Sequence, residues 1–244
     1  MKPATSAHPF TSTLCRSALL IGASLLMIEA TQAQVIFKDN FDRPGMIPPA
    51  ASINIAETTP EIGEKYTGEA VIHSAAAGGS AQAASEALGK ANVVEALPRA
   101  QWNSARWWIV AKEQKSTNLA TVTFTFDFFM TGTKGTVIFT SLADSQSNGR
   151  GFTIYLTSDG NISWWDGVGK DGTGITEAGT FELEKAVAVK VVADYENQKF
   201  TATIGDTTFE GTFNPETTNF RNAIIYNSSA AEFYYNNVEI AIGG

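Results

Sequence analysis

Strict alternation of apolar and polar side chains over residues 121–130 is the feature that most constrains the fold. Successive side chains of a β-strand point to opposite faces, so this pattern predicts a strand with one buried face. That face would hold Val122, Phe124, Phe126, Phe128 and Met130. Further strands are predicted at 35–42, 136–141, 151–157, 161–166, 187–195, 199–204, 207–213, 223–226 and 233–242. Because turn residues separate these short segments, the sequence predicts an all-β antiparallel sandwich.

The hairpin formed by 151–157 and 161–166 allows a register to be predicted. Inward residues must pair with inward residues, which requires a three-residue loop at 158–160 with Gly160 in the left-handed conformation. The resulting cross-strand pairs are Leu156–Ile162, Tyr155–Ser163, Ile154–Trp164 and Thr153–Trp165. Trp164 is then predicted to lie in the core, whereas Tyr155 and Trp165 become diagonal neighbours on the outer face.

Residues 1–33 have the pattern of a signal peptide. Lys2 and Arg16 precede an apolar run at 17–28, and the small residues around Gln32 predict cleavage before Gln34. The run is shorter than the ~20 apolar residues that a transmembrane helix needs. We therefore expect an exported protein, either secreted, periplasmic or at the cell surface, whose mature part is a single β-sandwich domain at 34–244. Cleavage would also remove Cys15, the only cysteine, so the core could not rely on disulfides.

The segment between the first strand and residue 93 shows weak patterning. Residues 50–72 are ambiguous, with short extended patches. Residues 74–92 are rich in alanine, glycine and serine and fit either a surface loop or a short helix. Gly78 and Gly79 favour the loop, since glycine disfavours a helix interior.

The charge balance excludes some partners. The chain carries 17 basic and 25 acidic residues, a net charge of −8. An acidic chain is poorly suited to bind nucleic acid through phosphate contacts, or to adhere to anionic lipid. After the leader, no stretch is apolar enough to suggest membrane insertion.

Four segments together resemble concanavalin A-like, laminin G-like jelly-roll domains of exported bacterial proteins. They are FKDNFDR at 37–43, TSDGNISWWDG at 157–167, VAVKVVADYENQKFTATIGD at 187–206 and EFYYNNVEIAI at 232–242. The resemblance implies a jelly-roll sandwich whose last strand runs beside the first. It departs from the family at Asn236-Asn237, where Asp-Asn is common, and at Ala186-Val187, where a tryptophan often opens the strand.

The catalytic patterns of enzymes in this superfamily are missing. No Glu-x-Asp-x-x-Glu strand of the β-glucanase type is present, and the nearest acidic pairs lie at 182–184 and 194–196. A polysaccharide lyase would have to use Arg99, Gln101 or Arg106 without its usual accompanying motifs. A serine hydrolase would depend on His73, the only histidine after the leader, which we expect to be an exposed or capping residue. No catalytic residue is therefore assigned.

A calcium ion is the one metal that the sequence suggests, since calcium needs only oxygen ligands. The candidate ligands are Asp39, Asp42 and Asn237, and Asn40, Asn236 and Glu239 could join them if the first and last strands pair. No cofactor is otherwise required.

Exposed aromatic residues are the stronger functional signal, because the apolar C–H face of a sugar ring stacks on aromatic rings. The first candidate ligand-binding surface combines Tyr155 and Trp165 with Asp166 and Asn161, and a second candidate centres on Arg106 and Trp108. These residues predict a non-catalytic, lectin-like module that binds a poly- or oligosaccharide. The alternatives are a polysaccharide lyase or glycoside hydrolase, and a structural or adhesive envelope protein that uses its aromatic patch to bind another protein.

Overall fold

The computed structural model describes residues 33–43, 46–63, 65–67, 70–97, 105–108, 121–133, 135–142, 150–168, 174–217, 220, 222–229 and 231–243. All of them belong to one compact unit, Thr31–Gly244. The strands are β1 (Gln34–Asp39), β2 (Ser52–Asn54), β3 (Lys65–Thr67), β4 (Ala70–Ser74), β5 (Asn92–Ala96), β6 (Ala105–Trp108), β7 (Thr121–Met130), β8 (Thr136–Leu142), β9 (Arg150–Thr157), β10 (Asn161–Trp165), β11 (Thr176–Thr180), β12 (Val187–Asp194), β13 (Lys199–Ile204), β14 (Thr207–Thr212), β15 (Asn222–Asn227) and β16 (Phe233–Ile242). They are joined by one described α-helix, α1 (Gly79–Leu88), and by two 3₁₀ turns, Ile55–Glu57 and Ala75–Ala77.

The strands form two antiparallel sheets. In sheet A the order is β14-β13-β12-β7-β16-β5-β4-β2, and β1 also pairs with β16. In sheet B the order is β11-β10-β9-β8-β15-β6-β3. The first and last strands therefore pair as the resemblance implies, and the predicted all-β antiparallel jelly-roll sandwich is confirmed.

Aromatic side chains from both sheets fill the space between them. The inner face of β7 contributes Phe124, Phe126 and Phe128, and sheet B contributes Phe139 and Phe152. In β12 the alternate residues Val187, Val189, Val191 and Ala193 are buried, and Tyr195 beyond the strand is buried too. Burial of this much apolar area is the main favourable term in the free energy of folding.

The β9–β10 hairpin has the register that the sequence predicts. All four expected cross-strand pairs are present, including Ile154–Trp164 and Thr153–Trp165. Gly160 closes the loop at φ +76°, in the left-handed region, and its amide N–H donates to the Thr157 carbonyl oxygen over 2.9 Å. Hydrophobic alternation and turn chemistry were sufficient here because both constraints are local.

Replacing Gly160 with alanine is expected to lower the free energy of unfolding by about 1–3 kcal/mol. A Cβ at Gly160 would lie 2.7 Å from the Phe181 carbonyl oxygen, in addition to the strain of its positive φ. Gly174 is the matched control, since it has the same φ of +76° but, among the described residues, no atom within 4 Å of a Cβ. Urea unfolding should show Gly160→Ala to be clearly less stable than Gly174→Ala. An equal loss of unfolding free energy in the two variants would mean that the close contact with the Phe181 carbonyl oxygen contributes nothing.

Several elements differ from the sequence expectation: strands β3, β5 and β6 were not predicted, and neither were the two elements described next. Residues 79–88 form helix α1, not the loop that the glycines favoured, because Ala81, Ala84 and Leu88 pack on an apolar patch of the outer face of sheet A. That patch, Phe129 and Tyr234 with Val93, stabilises a helix that its own propensity would not. The second element, β11, was missed because TEAGT has no apolar alternation. No helix in the described ranges is long and apolar enough to cross a membrane.

Candidate functional site

A groove of about 510 Å³ lies at the edge of the sandwich where β14 ends sheet A. Three cross-strand pairs of β13 and β14 line it, and Trp164 reaches it from β10 of sheet B. The pairs are Lys199–Thr212, Phe200–Gly211 and Thr201–Glu210. The volume is within the ~300–1,000 Å³ that small-ligand pockets occupy. We call this site the edge groove.

Gly211 allows two aromatic rings to lie at the floor of the edge groove. A Cβ built on Gly211 would be 2.5 Å from the Phe200 ring and 3.2 Å from Cδ2 of Trp164. Any larger residue would therefore displace one ring or both. Glycine within a strand often marks such a close approach, and this is the sequence signal that could have pointed to the groove.

The Trp164 indole is held in one orientation and is only partly covered. It packs edge-to-face on Phe200, with ring centroids 5.4 Å apart and an angle of 87°. Phe200 in turn stacks on Phe152 of the opposite sheet at 4.5 Å. Trp164 remains half-buried, while Phe200 beneath it is fully covered. A ring fixed from below can bind a flat apolar ligand with little loss of side-chain entropy.

Polar side chains form the rim of the edge groove. Thr201, Thr212, Glu210 and Lys199 are all exposed and alternate along β13 and β14 with Phe200 and Gly211, so they line the groove from the outer face of sheet A. Lys199 also pairs across the hairpin with Asp194. The pKa of the Asp194 carboxyl is lowered, first by the side-chain amide of Asn197 and less strongly by the nearby Lys199 charge. The rim thus offers both donors and acceptors to the hydroxyl groups of a ligand.

The prediction of an exposed ligand-binding surface around Trp165 is wrong. Trp165 does lie on the outer face of sheet B, but only 2% of it is exposed, and its indole N–H donates to the Val168 carbonyl oxygen over 3.0 Å. Neighbours in its cross-strand row, Thr153 and Thr140, are buried as well. Period-two alternation identifies the face of a strand, but it does not show whether other parts of the chain cover that face.

Tyr155, Asp166 and Asn161, the other predicted ligand-binding residues whose side chains are described, do not share a surface with an exposed tryptophan. Tyr155 and Asp166 are half-buried, and the Asp166 carboxylate accepts the Val168 amide N–H at 2.9 Å. Asn161 is exposed beside the hairpin turn. The backbone of Arg106 pairs with Ile224 and that of Trp108 with Asn222, but the two side chains lie outside the described part of the structure.

Among the residues considered for catalysis, those that the structure describes are not assembled into one site. Glu182 and Glu184 are exposed, and Glu182 forms an ion pair with Lys185. Asp194 accepts hydrogen bonds from the backbone of its own turn. Arg99 and Gln101 lie outside the described residues.

The expected calcium ligands are not brought together. The Asp39 carboxylate accepts the Phe41 amide N–H at 2.8 Å and contacts Arg43 at 3.0 Å. Asp42 accepts the Asn92 amide N–H at 3.0 Å, and the Asn237 side-chain amide donates to Asp127. Across the described ranges, no group of three or more histidine, cysteine, aspartate or glutamate residues could hold a metal ion. The three side chains therefore do not fit a calcium site, because each is engaged by a different partner.

The chain resembles known proteins in structure but not in sequence. No family model matches the chain, and no curated protein matches it in sequence. A solved sialidase matches over 85% of this chain, with 12% identity and a TM-score of 0.48, but the chain spans only 18% of that sialidase. Arcelin-5, a lectin-like defence protein from Phaseolus vulgaris, matches over 79% of this chain and 97% of its own, with 10% identity and a TM-score of 0.47. The metal-free exoplasmic/lumenal domain of VIP36 matches over 80% and 92%, with 12% identity and a TM-score of 0.47. We transfer no ligand and no residue role from proteins this distant.

Proposed function

We propose that this chain is an exported carbohydrate-binding protein, a divergent member of the concanavalin A-like superfamily, and that the edge groove is its binding site. The observation that carries the proposal is the partly exposed Trp164, fixed on Phe200, in a groove that Thr201, Glu210 and Thr212 also line. An apolar ring bordered by hydrogen-bonding groups complements a pyranose, which has an apolar C–H face and a circle of hydroxyls. Export follows from the predicted leader at 1–33.

The groove binds a sugar ring by two kinds of contact. The C–H face of the ring stacks on the indole of Trp164, while its hydroxyls donate to the Glu210 carboxylate and exchange hydrogen bonds with the threonines. Lys199 donates to ring or hydroxyl oxygens and favours sugars without a nearby cationic group. Because the groove is open to solvent and buries only part of a ligand, we expect a Kd of ~1 mM for one sugar unit, which is a binding free energy of about 4 kcal/mol.

A panel of neutral and acidic oligosaccharides tests the proposal. Isothermal titration should detect binding of at least one class, and chromatography of the same mixtures should show the sugar unchanged. Release of shortened or unsaturated products would instead support the lyase or hydrolase alternative. Absence of binding and of products across the panel would contradict the proposed function.

A further inference from the structure

Three polar side chains form a hydrogen-bonded row on the outer face of sheet A. They lie at the β2 end of the sheet, whereas the edge groove lies at the β14 end. Ser52 lies on β2, His73 on β4 and Glu95 on β5. The Ser52 hydroxyl is 2.7 Å from Nδ1 of His73, and Nε2 of the same ring is 2.7 Å from Oε2 of Glu95. His73 was expected to be an exposed or capping residue, but its side chain is only 17% exposed and both its ring nitrogens have partners.

The chemistry of the partners assigns the protons of a neutral His73 ring. An ionised carboxylate is only an acceptor, so Nε2 must carry the hydrogen that Glu95 accepts. Nδ1 then presents its lone pair and accepts the Ser52 hydroxyl proton. The arrangement is that of a nucleophile, a base and a third group that orients the base.

The backbone holds the three residues in place and leaves the serine accessible. The Ser74 amide N–H donates to the Ala51 carbonyl oxygen, so the next pair along, Ser52–His73, is a non-hydrogen-bonded pair whose side chains lie close together. In such a pair the Ser52 amide N–H points away from β4, towards the edge of the sheet, and Ser52 itself is exposed. Tyr234 packs edge-to-face on the His73 ring at 6.3 Å and limits its rotation.

We propose that Ser52 and His73 are catalytic residues of an ester-hydrolysing site, with Glu95 as the positioning residue, and that its substrates are carboxylic esters. Ser52 Oγ attacks the acyl carbon while its proton passes to Nδ1. The bond from the acyl carbon to the alcohol oxygen breaks, and the alcohol leaves with that proton. Water then attacks the acyl-serine, loses a proton to Nδ1, and releases the carboxylic acid as the proton returns to Oγ. The Ser52 amide N–H is the oxyanion donor that the backbone supplies.

Covalent labelling of the full chain with a fluorophosphonate tests the site, because the reagent forms an Oγ–P bond and releases fluoride only at an activated serine. Mass spectrometry of the digested protein should find the adduct on Ser52. Labelling should disappear in Ser52→Ala and slow at least ~100-fold in His73→Gln, which keeps hydrogen-bonding groups but is no base. The same variants should lose hydrolysis of p-nitrophenyl acetate.

Ser80→Ala is the matched control, since the Ser80 hydroxyl donates to a carboxylate, Glu232, without a histidine between them. It should label like the wild type. Glu95→Gln should slow labelling about tenfold or more and shift the ¹⁵N signals of His73 away from the Nε2–H tautomer, which a merely structural role would not do. Unaltered melting temperatures would show that the variants are folded. Absence of a Ser52 adduct in the folded wild type, or an unchanged rate in His73→Gln, would overturn the proposal.

Discussion

Replacing Trp164 with alanine should weaken carbohydrate binding by about 2 kcal/mol, roughly 30-fold, which is the loss typical of a tryptophan at the centre of a binding site. The indole supplies the apolar surface of the edge groove, and the residue beneath it, Phe200, is too deeply covered to replace it. Trp164→Phe should retain most of the affinity, since a smaller ring still stacks. Titration calorimetry with the tightest-binding oligosaccharide measures both.

The indole of Trp164 also packs on Phe200, so Trp164→Ala could weaken binding merely by disturbing this packing. A control variant is needed that loses packing on Phe200 without changing the groove. Phe209 packs edge-to-face on Phe200 at 6.0 Å, yet it does not line the edge groove. Phe209→Ala should therefore destabilise the fold to a similar degree without changing the Kd. Tyr155→Ala tests the outer face of sheet B in the same way and should also leave the Kd unchanged. Equal weakening in all three alanine variants would contradict a specific role for Trp164.

Replacing Phe152 with alanine should lower the free energy of unfolding by about 3–5 kcal/mol, a large part of the ~5–15 kcal/mol that stabilises a typical domain. Phe152 is fully buried and its ring contacts those of Phe124, Phe139, Phe200 and Phe213 at centroid distances of 4.5 to 6.3 Å. Removing it leaves a cavity between the sheets and takes away the support of Phe200, and through Phe200 that of Trp164.

Guanidinium chloride unfolding measures the effect on stability. Phe152→Leu leaves less empty volume and should lower the free energy of unfolding clearly less than Phe152→Ala. Lys190→Ala, on the exposed face of β12, should change the free energy of unfolding by no more than about 0.5 kcal/mol. A loss below 1 kcal/mol in Phe152→Ala would show that the aromatic cluster does not hold the two sheets together.

The fold could be predicted wherever the deciding contacts were local. Alternation in β7 and β12, and the loop glycine at 160, determine which face of each strand is buried and how β9 and β10 pair. Helix α1 could not be predicted, because an outer patch formed by Phe129 and Tyr234 stabilises it, and those residues are distant in sequence.

The binding site could not be predicted from the alternation of apolar and polar residues. Trp164 was correctly placed on the inner face of its strand, and therefore interpreted as core. Its ring reaches the surface because Gly211 of the edge strand β14 lies against it. No local sequence pattern shows that β10 and β14 meet. Trp165 was correctly placed on the outer face and is nevertheless covered. The Ser52–His73–Glu95 row was missed for the same reason, since sheet pairing brings together residues about twenty positions apart.

Mapping the bound oligosaccharide by NMR tests the central claim most directly. If the edge groove is the binding site, titration of the ¹⁵N-labelled protein should give the largest shifts at the Trp164 indole N–H and at the amides of Thr201, Glu210, Gly211 and Thr212. These shifts should saturate with the calorimetric Kd. Shifts centred instead on Tyr155, Asn161 and Asp166, with the β13–β14 amides unmoved, would contradict it.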